Sequence, residues 1–293
     1  MQLTDLCVRG GWDLRRDAEV RSFGFIETAV DGRLVFVGDA QNLDRIRSAS
    51  GISAILTTPA LAQAAEKAVP AAIGLAAVED AKLAFVRLHN ELAATDFYGT
   101  PIETQIDPCA SVHPAAHVDP AGVIIGPSCR IGPRAVILSG TTLIEEVLVM
   151  PGAVLGGEGF QVIRTQTFVD VTHVGRLIVG PRTVIMANAV LARAVFPTAT
   201  SIGADCRIGN CAFVSHGCQI GSRCLIGHGA IIAGGCVIED ESVLGPGTVC
   251  IDRLTIGRGA AVSAGATVAR DVPAGMRVST PFARRHLGSA LDE

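Results

Sequence analysis

Aromatic side chains are scarce in this chain, 4% of 293 residues with one Trp and one Tyr. That shortage fits an interior too narrow to hold rings. Positive charge is not in excess either: the net charge is -4 and the pI near 6.0, so no general basic field exists for nucleic acid or an anionic membrane. No apolar run approaches the ~20 residues of a membrane span, and no signal peptide opens the sequence. Nine Cys are present without a single CxxC pair, which removes the spaced thiol pairs of zinc ribbons and redox motifs. These absences predict a cytoplasmic protein with reduced thiols, no membrane span and no nucleic-acid partner.

What is present is a repeat. Steps of six from Ile202 land on Ile208, Val214, Ile220, Ile226, Ile232, Ile238, Leu244, Cys250, Ile256, Val262 and Val268. The next position is Gly at 203, 209, 221, 227, 245 and 257, and four after each aliphatic residue comes a small one: Cys206, Ala212, Cys218, Cys224, Ala230, Cys236, Ser242, Thr248, Ala260 and Ala266, with Leu254 the exception. Neither a helix nor an ordinary strand needs a strict period of six. A parallel β-helix does, because three strand-plus-corner units close one triangular coil of 18 residues and no coil buries its apolar face alone. Gly at the six positions that carry it is read as a turn residue that other side chains would strain. Cys129, Cys206, Cys218, Cys224 and Cys236 share the small inward slot and are read as buried hydrophobes rather than disulfide or zinc residues.

The fold expected is mainly β, a left-handed parallel β-helix with a small N-terminal α/β domain and a short tail. Residues 1–105 lack the hexad. There GRLVFVGD (32–39), ISAILTT (52–58) and AAIGLAAV (71–78) read as strands, alternating with helical stretches at 41–49, 59–68 and 79–94. A linker covers 96–108. The β-helix is expected over 106–272, slipping after Val118, interrupted by a loop at 156–177 and slipping again near Pro197, and 273–293 form a tail that allows one short helix. Interruptions of a solenoid become loops on one face, where function concentrates.

Of seven His, His216 follows the inward Val214 by two and therefore sits at a corner. One coil on, about 4.8 Å away along the axis, lies Gly234, whose free N–H can face the same space. A base beside a backbone donor is what acyl transfer from a thioester requires, one taking the proton of the attacking group and the other holding the oxyanion. On periodicity alone a solvated corner His is an equal reading. His228 lies on another side of the coil, and His173 lies in the interrupting loop.

The whole chain resembles the UDP-3-O-acylglucosamine N-acyltransferase family, left-handed β-helix enzymes of lipid A biosynthesis. The resemblance is carried by GRLVFVGDAQN, SAILTT, PCASVHPAAHVDPAGVIIGPSCRIGPRAVI, the GGEGF loop, THVGRLIVG and NCAFVSHGCQIGSRCLIGHGAIIAGGCVIED. It implies a catalytic base at His216, an oxyanion glycine at Gly234 and a nearby Asn210. It also implies a uridine-stacking Phe36, a nucleotide contact at Asp39, where the family usually has Asn, and a loop aromatic at Phe160. The activity implied is transfer of an acyl group from acyl carrier protein to the amine of a UDP-linked amino sugar, by a homotrimer with no metal or other cofactor. Asn42 stands where the family has an aromatic, Arg253 where it has a second His near the phosphates or acceptor, and the long C-terminal helices of the family are missing from this sequence. Arg284 and Arg285 are candidate contacts for the phosphates of CoA or a carrier protein.

Three other readings stay open on the residues. An acetyl-CoA-dependent N-acetyltransferase would use the same site. A zinc enzyme of the β-helical carbonic anhydrase type needs three converging His, including a closely spaced pair, whereas His216 and His228 are twelve apart. A non-catalytic β-helix, serving as a scaffold or as a regulator that binds a nucleotide sugar, is kept open by the changed residues Asn42 and Arg253.

Overall fold

In the computed structural model, which describes residues 1–280, the N-terminal domain opens with helix α1 (Leu3–Gly10), strands β1 (Asp13–Arg16) and β2 (Ser22–Phe23). It continues with β3 (Arg33–Val37), α2 (Ala40–Ser48), β4 (Ile52–Thr57), α3 (Pro59–Ala68), β5 (Gly74–Ala77) and α4 (Ala81–Ala93). The five strands form one sheet in the order β1-β5-β4-β3-β2, parallel except for β1 against β5. The three strands and three helices expected from residue 32 onward appear within a few residues. The first helix and the two strands after it carry no decided periodicity in the sequence.

Beyond Gln105 the chain winds into a left-handed prism with three parallel sheets of nine, eight and eight strands. Between Ile202 and Val268 each strand pairs with the one 18 residues on: Arg207 with Leu225, Phe213 with Ile231, Gln219 with Val237. The right-handed rule for parallel crossovers arises from packing a helix back on the sheet; here two further strands make the crossover, so that reason is absent. The inward residues of the hexad, from Ile202 to Val268, are all buried. No described helix is long and apolar enough to cross a membrane.

The small inward slot does more than leave room. Cys206 Sγ donates to the Gly221 carbonyl at 3.0 Å, Cys224 Sγ to that of Glu239 at 3.2 Å and Cys236 Sγ to that of Ile251 at 3.1 Å, and Ser242 Oγ does the same to Gly257 at 3.0 Å. A thiol or hydroxyl thus satisfies the corner carbonyl 15 residues on, which would otherwise be buried unpaired. All nine cysteines are free thiols, and burial pushes that of Cys250 up to about 12.

The glycines after each aliphatic residue need a different explanation from the one expected. They do not take the left-handed backbone; a Cβ on Gly209 would stand 2.5 Å from His228 N, and one on Gly257 2.4 Å from Ala274 N. Close approach of the next coil's backbone requires them. The left-handed corner lies two residues further on and is filled by Asp205, Cys211, Arg223, Glu241 or Arg253 as well as by glycine.

Both irregularities are built in. Leu143 pairs with Val179, 36 residues on instead of 18, so the loop at 156–177 adds one coil length without adding a coil. Its hairpin (Val162–Arg164 with Phe168–Asp170) stands off the prism. Val179 pairs with Ile202, 23 residues on, and the five extra residues carry Val195 and Phe196 out to the N-terminal domain. There most of the few aromatics gather. Phe196 meets Phe25 at 4.9 Å and Phe85 at 6.0 Å between centroids, and Phe23, Phe36, Phe97 and Tyr98 complete the cluster. The tail helix, Arg284 and Arg285 fall outside the described residues.

Replacing Cys224 by Ser keeps a donor for the Glu239 carbonyl, as Ser242 does one coil later, and is expected to cost less than about 1 kcal/mol. Cys224→Val leaves that carbonyl unpaired and adds volume, and is expected to cost about 1–3 kcal/mol. Thermal unfolding of the two variants checks the order.

Candidate active site

Residues at one corner of successive coils are spaced by 18, and Thr198, His216, Gly234 and Asp252 form such a series. All four line a cleft of about 1060 Å³ whose other walls include Phe25 and Glu27–Ala29 of the N-terminal domain, Gln161 and Arg176 of the loop, and Arg253. The repeat fixes the column of corner residues. The loop, the five-residue slip and the N-terminal domain enclose it.

Buried Arg33 sets the N-terminal wall. Its guanidinium donates to the carbonyls of Phe25, Ile26, Val30 and Ser50 at 2.6–3.1 Å, pinning the segment that carries Phe25 to Ala29. The loop is held from the same domain. Asn90 on α4 donates to the Asp170 carbonyl at 2.7 Å and accepts from Thr172 N at 2.9 Å, so an amide side chain stands in for a neighbouring strand. Beside it, buried His89 bonds the Thr172 carbonyl at 2.8 Å through Nε2 and the Tyr98 hydroxyl at 2.6 Å through Nδ1. The carbonyl only accepts, so Nε2 carries the proton and Nδ1 accepts from Tyr98.

His173 is held in the opposite tautomer. Its Nδ1 donates to the Val171 carbonyl at 2.9 Å and its Nε2 accepts from Gly159 N at 3.1 Å. This buried neutral ring sits edge-on to His216, 5.7 Å between centroids. The loop histidine is therefore a pin that backs the corner imidazole, a role the sequence did not signal.

His216 itself is half-buried, and its ring takes part in no hydrogen bond among the described residues, leaving its nitrogens available to the cleft. Burial brings its pKa down to about 4; His173 pushes the same way, Asp252 opposes and Arg253 reinforces. At neutral pH the ring is an unprotonated base.

Gly234 departs from expectation. Its N–H is not free: it donates to Asp252 Oδ1 at 2.9 Å. The physical reason is a habit of the prism, in which a polar side chain one coil on caps the corner amide, as Asp240 Oδ1 does for Ser222 N at 2.8 Å. What glycine supplies here is space, since a Cβ at 234 would lie 2.6 Å from Cε1 and 2.8 Å from Nε2 of His216.

The remaining sequence candidates divide. Arg253 lines the cleft, exposed, with no ion pair or side-chain hydrogen bond among the described residues. Phe36 is half-buried in the aromatic cluster, 5.2 Å from Phe85 and 6.4 Å from Phe25, and does not line the cleft; Phe25 does. Asp39 caps α2, accepting from Asn42 N at 2.9 Å and Asn42 Nδ2 at 2.8 Å, which also uses up Asn42. Asn210 belongs to a different corner, where its Oδ1 accepts from Ala187 N at 3.0 Å and its N–H donates to His228 Nδ1 at 2.9 Å. Phe160 projects from the loop, 90% exposed, outside the cleft, while its neighbour Gln161 lines it. Among the described residues no group of three His, Cys, Asp or Glu is arranged to hold a metal ion.

Gly234→Ala is expected to displace the His216 ring and lower any His216-dependent turnover at least ~100-fold with the fold retained; circular dichroism and initial rates check both. Burial lowers the pKa of His89, His173 and His216 alike. Below about pH 6.5 the unfolded chain takes up protons that the folded one refuses, so stability falls as pH drops from about 6.5 and is flat above it. Denaturant midpoints from pH 8 to pH 5 measure this.

The bacterial transferase hexapeptide pattern (six repeats) matches residues 199–234 and 217–252. The UDP-3-O-acylglucosamine N-acyltransferase of Coxiella burnetii is 26% identical over 245 residues, covering 73% of this chain and 69% of its own length. Among solved structures, a UDP-N-acetylglucosamine acyltransferase of Francisella novicida is similar at 22% identity and TM-score 0.42, over 60% of this chain and 66% of that one. A GDP-perosamine N-acetyl transferase of Caulobacter crescentus is similar at 18% identity and TM-score 0.20, over 83% and 73%. The chain is an acyltransferase whose hexapeptide repeats wind into a left-handed β-helix, and it is similar to the curated relative named above.

Proposed function

We propose that this acyltransferase moves an acyl group from the thioester of acyl carrier protein to the amine of a UDP-linked amino sugar, as in lipid A biosynthesis. The observation that carries the reading is the neutral His216 ring, free of hydrogen bonds, facing a cleft large enough for a nucleotide sugar between the prism and the N-terminal domain.

In this reading the sugar's free amine attacks the thioester carbonyl. A C–N bond forms, His216 takes a proton from the attacking nitrogen, and the tetrahedral oxyanion is held by the Gly234 N–H, which must first leave Asp252 Oδ1. The C–S bond then breaks and the thiol leaves with the proton returned by the imidazolium. No metal or other cofactor enters a step. Phe25 stacks on the uracil in the place the resemblance gave to Phe36, while Arg176 and Arg253 face the diphosphate. The site closes at the seam of a homotrimer in the cytoplasm, where a neighbouring copy can bring up Asn210 and Phe160 from faces that this chain alone leaves outside the cleft.

His216→Ala is expected to abolish transfer while sedimentation still shows a trimer; retained turnover would refute the assignment. Because the base is active when unprotonated, the acid limb of kcat/KM is expected near pH 4 instead of near 6.5, provided the fold survives. Consumption of hydroxyacyl carrier protein against acetyl-CoA, with UDP-amino sugars as acceptors, decides the donor.

A further inference from the structure

The charged and titratable groups lining the cleft are Glu27, Arg176, His216, Asp252 and Arg253, with His173 behind the imidazole. Glu27 is paired with Arg45, which leaves Asp252 as the one acidic group of this set without a cationic partner among the described residues. Its position is fixed by Oδ1 on the Gly234 N–H, the same residue whose missing Cβ lets the His216 ring lie against it. Oδ2 makes no hydrogen bond among the described residues. A carboxylate is thus held beside the base, on the amide that the oxyanion requires.

We propose that Asp252 recognises the acceptor's ammonium group, and that in turning to it the carboxylate releases the Gly234 N–H for the oxyanion. This rests on the reading of the site as an amine acyltransferase. An amine of this kind titrates near pH 8, so at neutral pH it reaches the site mainly as R–NH3⁺. A carboxylate attracts that form by charge as well as by hydrogen bond, whereas a hydroxyl offers it the hydrogen bond alone. The ammonium then gives one proton to solvent, leaving R–NH2 beside His216, which takes the second proton as the C–N bond forms. Asp252 opposes the burial that disfavours the His216 imidazolium. In the absence of an amine, the carboxylate stays on the Gly234 amide and the oxyanion site is closed, which suppresses idle hydrolysis of the thioester.

The test uses the full-length protein and two nucleotides that differ by the amine alone, UDP-glucosamine and UDP-glucose. Titration calorimetry at pH 7 is expected to show the wild type preferring the amine about ten-fold. Asp252→Asn, which can keep the Gly234 bond through its amide oxygen, is expected to lose the preference. At pH 9, where the amine is neutral, the two proteins are expected to converge. With a thioester donor, Asp252→Ala leaves the Gly234 N–H open, so its kcat at saturating amine and its donor hydrolysis without acceptor are expected to exceed those of Asp252→Asn. Wild type that binds the two nucleotides equally, or Asp252→Asn that keeps the preference, overturns the recognition role. Equal kcat and hydrolysis in the two variants overturns the release of the amide. If the wild type binds neither nucleotide, the amine acyltransferase reading falls and this assignment falls with it, whereas binding without discrimination removes only the role of Asp252.

Discussion

The constraint on which the rest depends is the separation of one coil from the next, about 4.8 Å. Backbone pairing at that distance leaves no room for a Cβ where Gly209 meets His228 or Gly257 meets Ala274, so glycine is imposed there. It also brings every residue into line with the one 18 further on. Interior thiols reach corner carbonyls 15 residues ahead, and polar corner side chains reach the amide of the coil before. A prism built this way is stiff in one dimension and offers the same corner repeatedly.

Function needs one of those corners to differ. The difference comes from two insertions, one of a full coil length at 156–177 and one of five residues before Ile202. Both leave the prism at the corner of His216 and both are received by the N-terminal domain, one through the Asn90 and His89 clamp and the other through Phe196 in the aromatic cluster. The domain thereby builds a wall that the prism lacks. Enclosure has an electrostatic consequence: the imidazole loses water, and an edge-on neutral His173 cannot compensate a charge, so His216 stays unprotonated until about pH 4. A base of this kind is always available but weak, and a carboxylate nearby has a clear use in supporting the charge it acquires.

The hexapeptide match and the Coxiella burnetii relative agree on acyl transfer, and they do so through different features. The match concerns the coils from 199 to 252. The relative covers most of the chain. The cleft is formed by residues outside the repeat as much as by the repeat itself.

The prism, its inward residues, the positions of both interruptions and the corner placement of His216 were determined by the sequence alone, because a period of six dictates what faces inward and a coil of 18 dictates what stacks. The N-terminal strands and helices from residue 32 were legible for the same kind of reason, alternation of apolar runs with turn residues. Tertiary structure alone decided that His173 backs His216, that Phe25 and not Phe36 faces the cleft, that Asp39 is spent on a helix cap, and that Asp252 holds the Gly234 amide. Periodicity fixes which residues share an edge, but not the rotamer each adopts there or the path of an inserted loop. The loop's path follows from contacts between segments 80 or more residues apart, such as Asn90 with Thr172, which leave no regular spacing to be read along the chain.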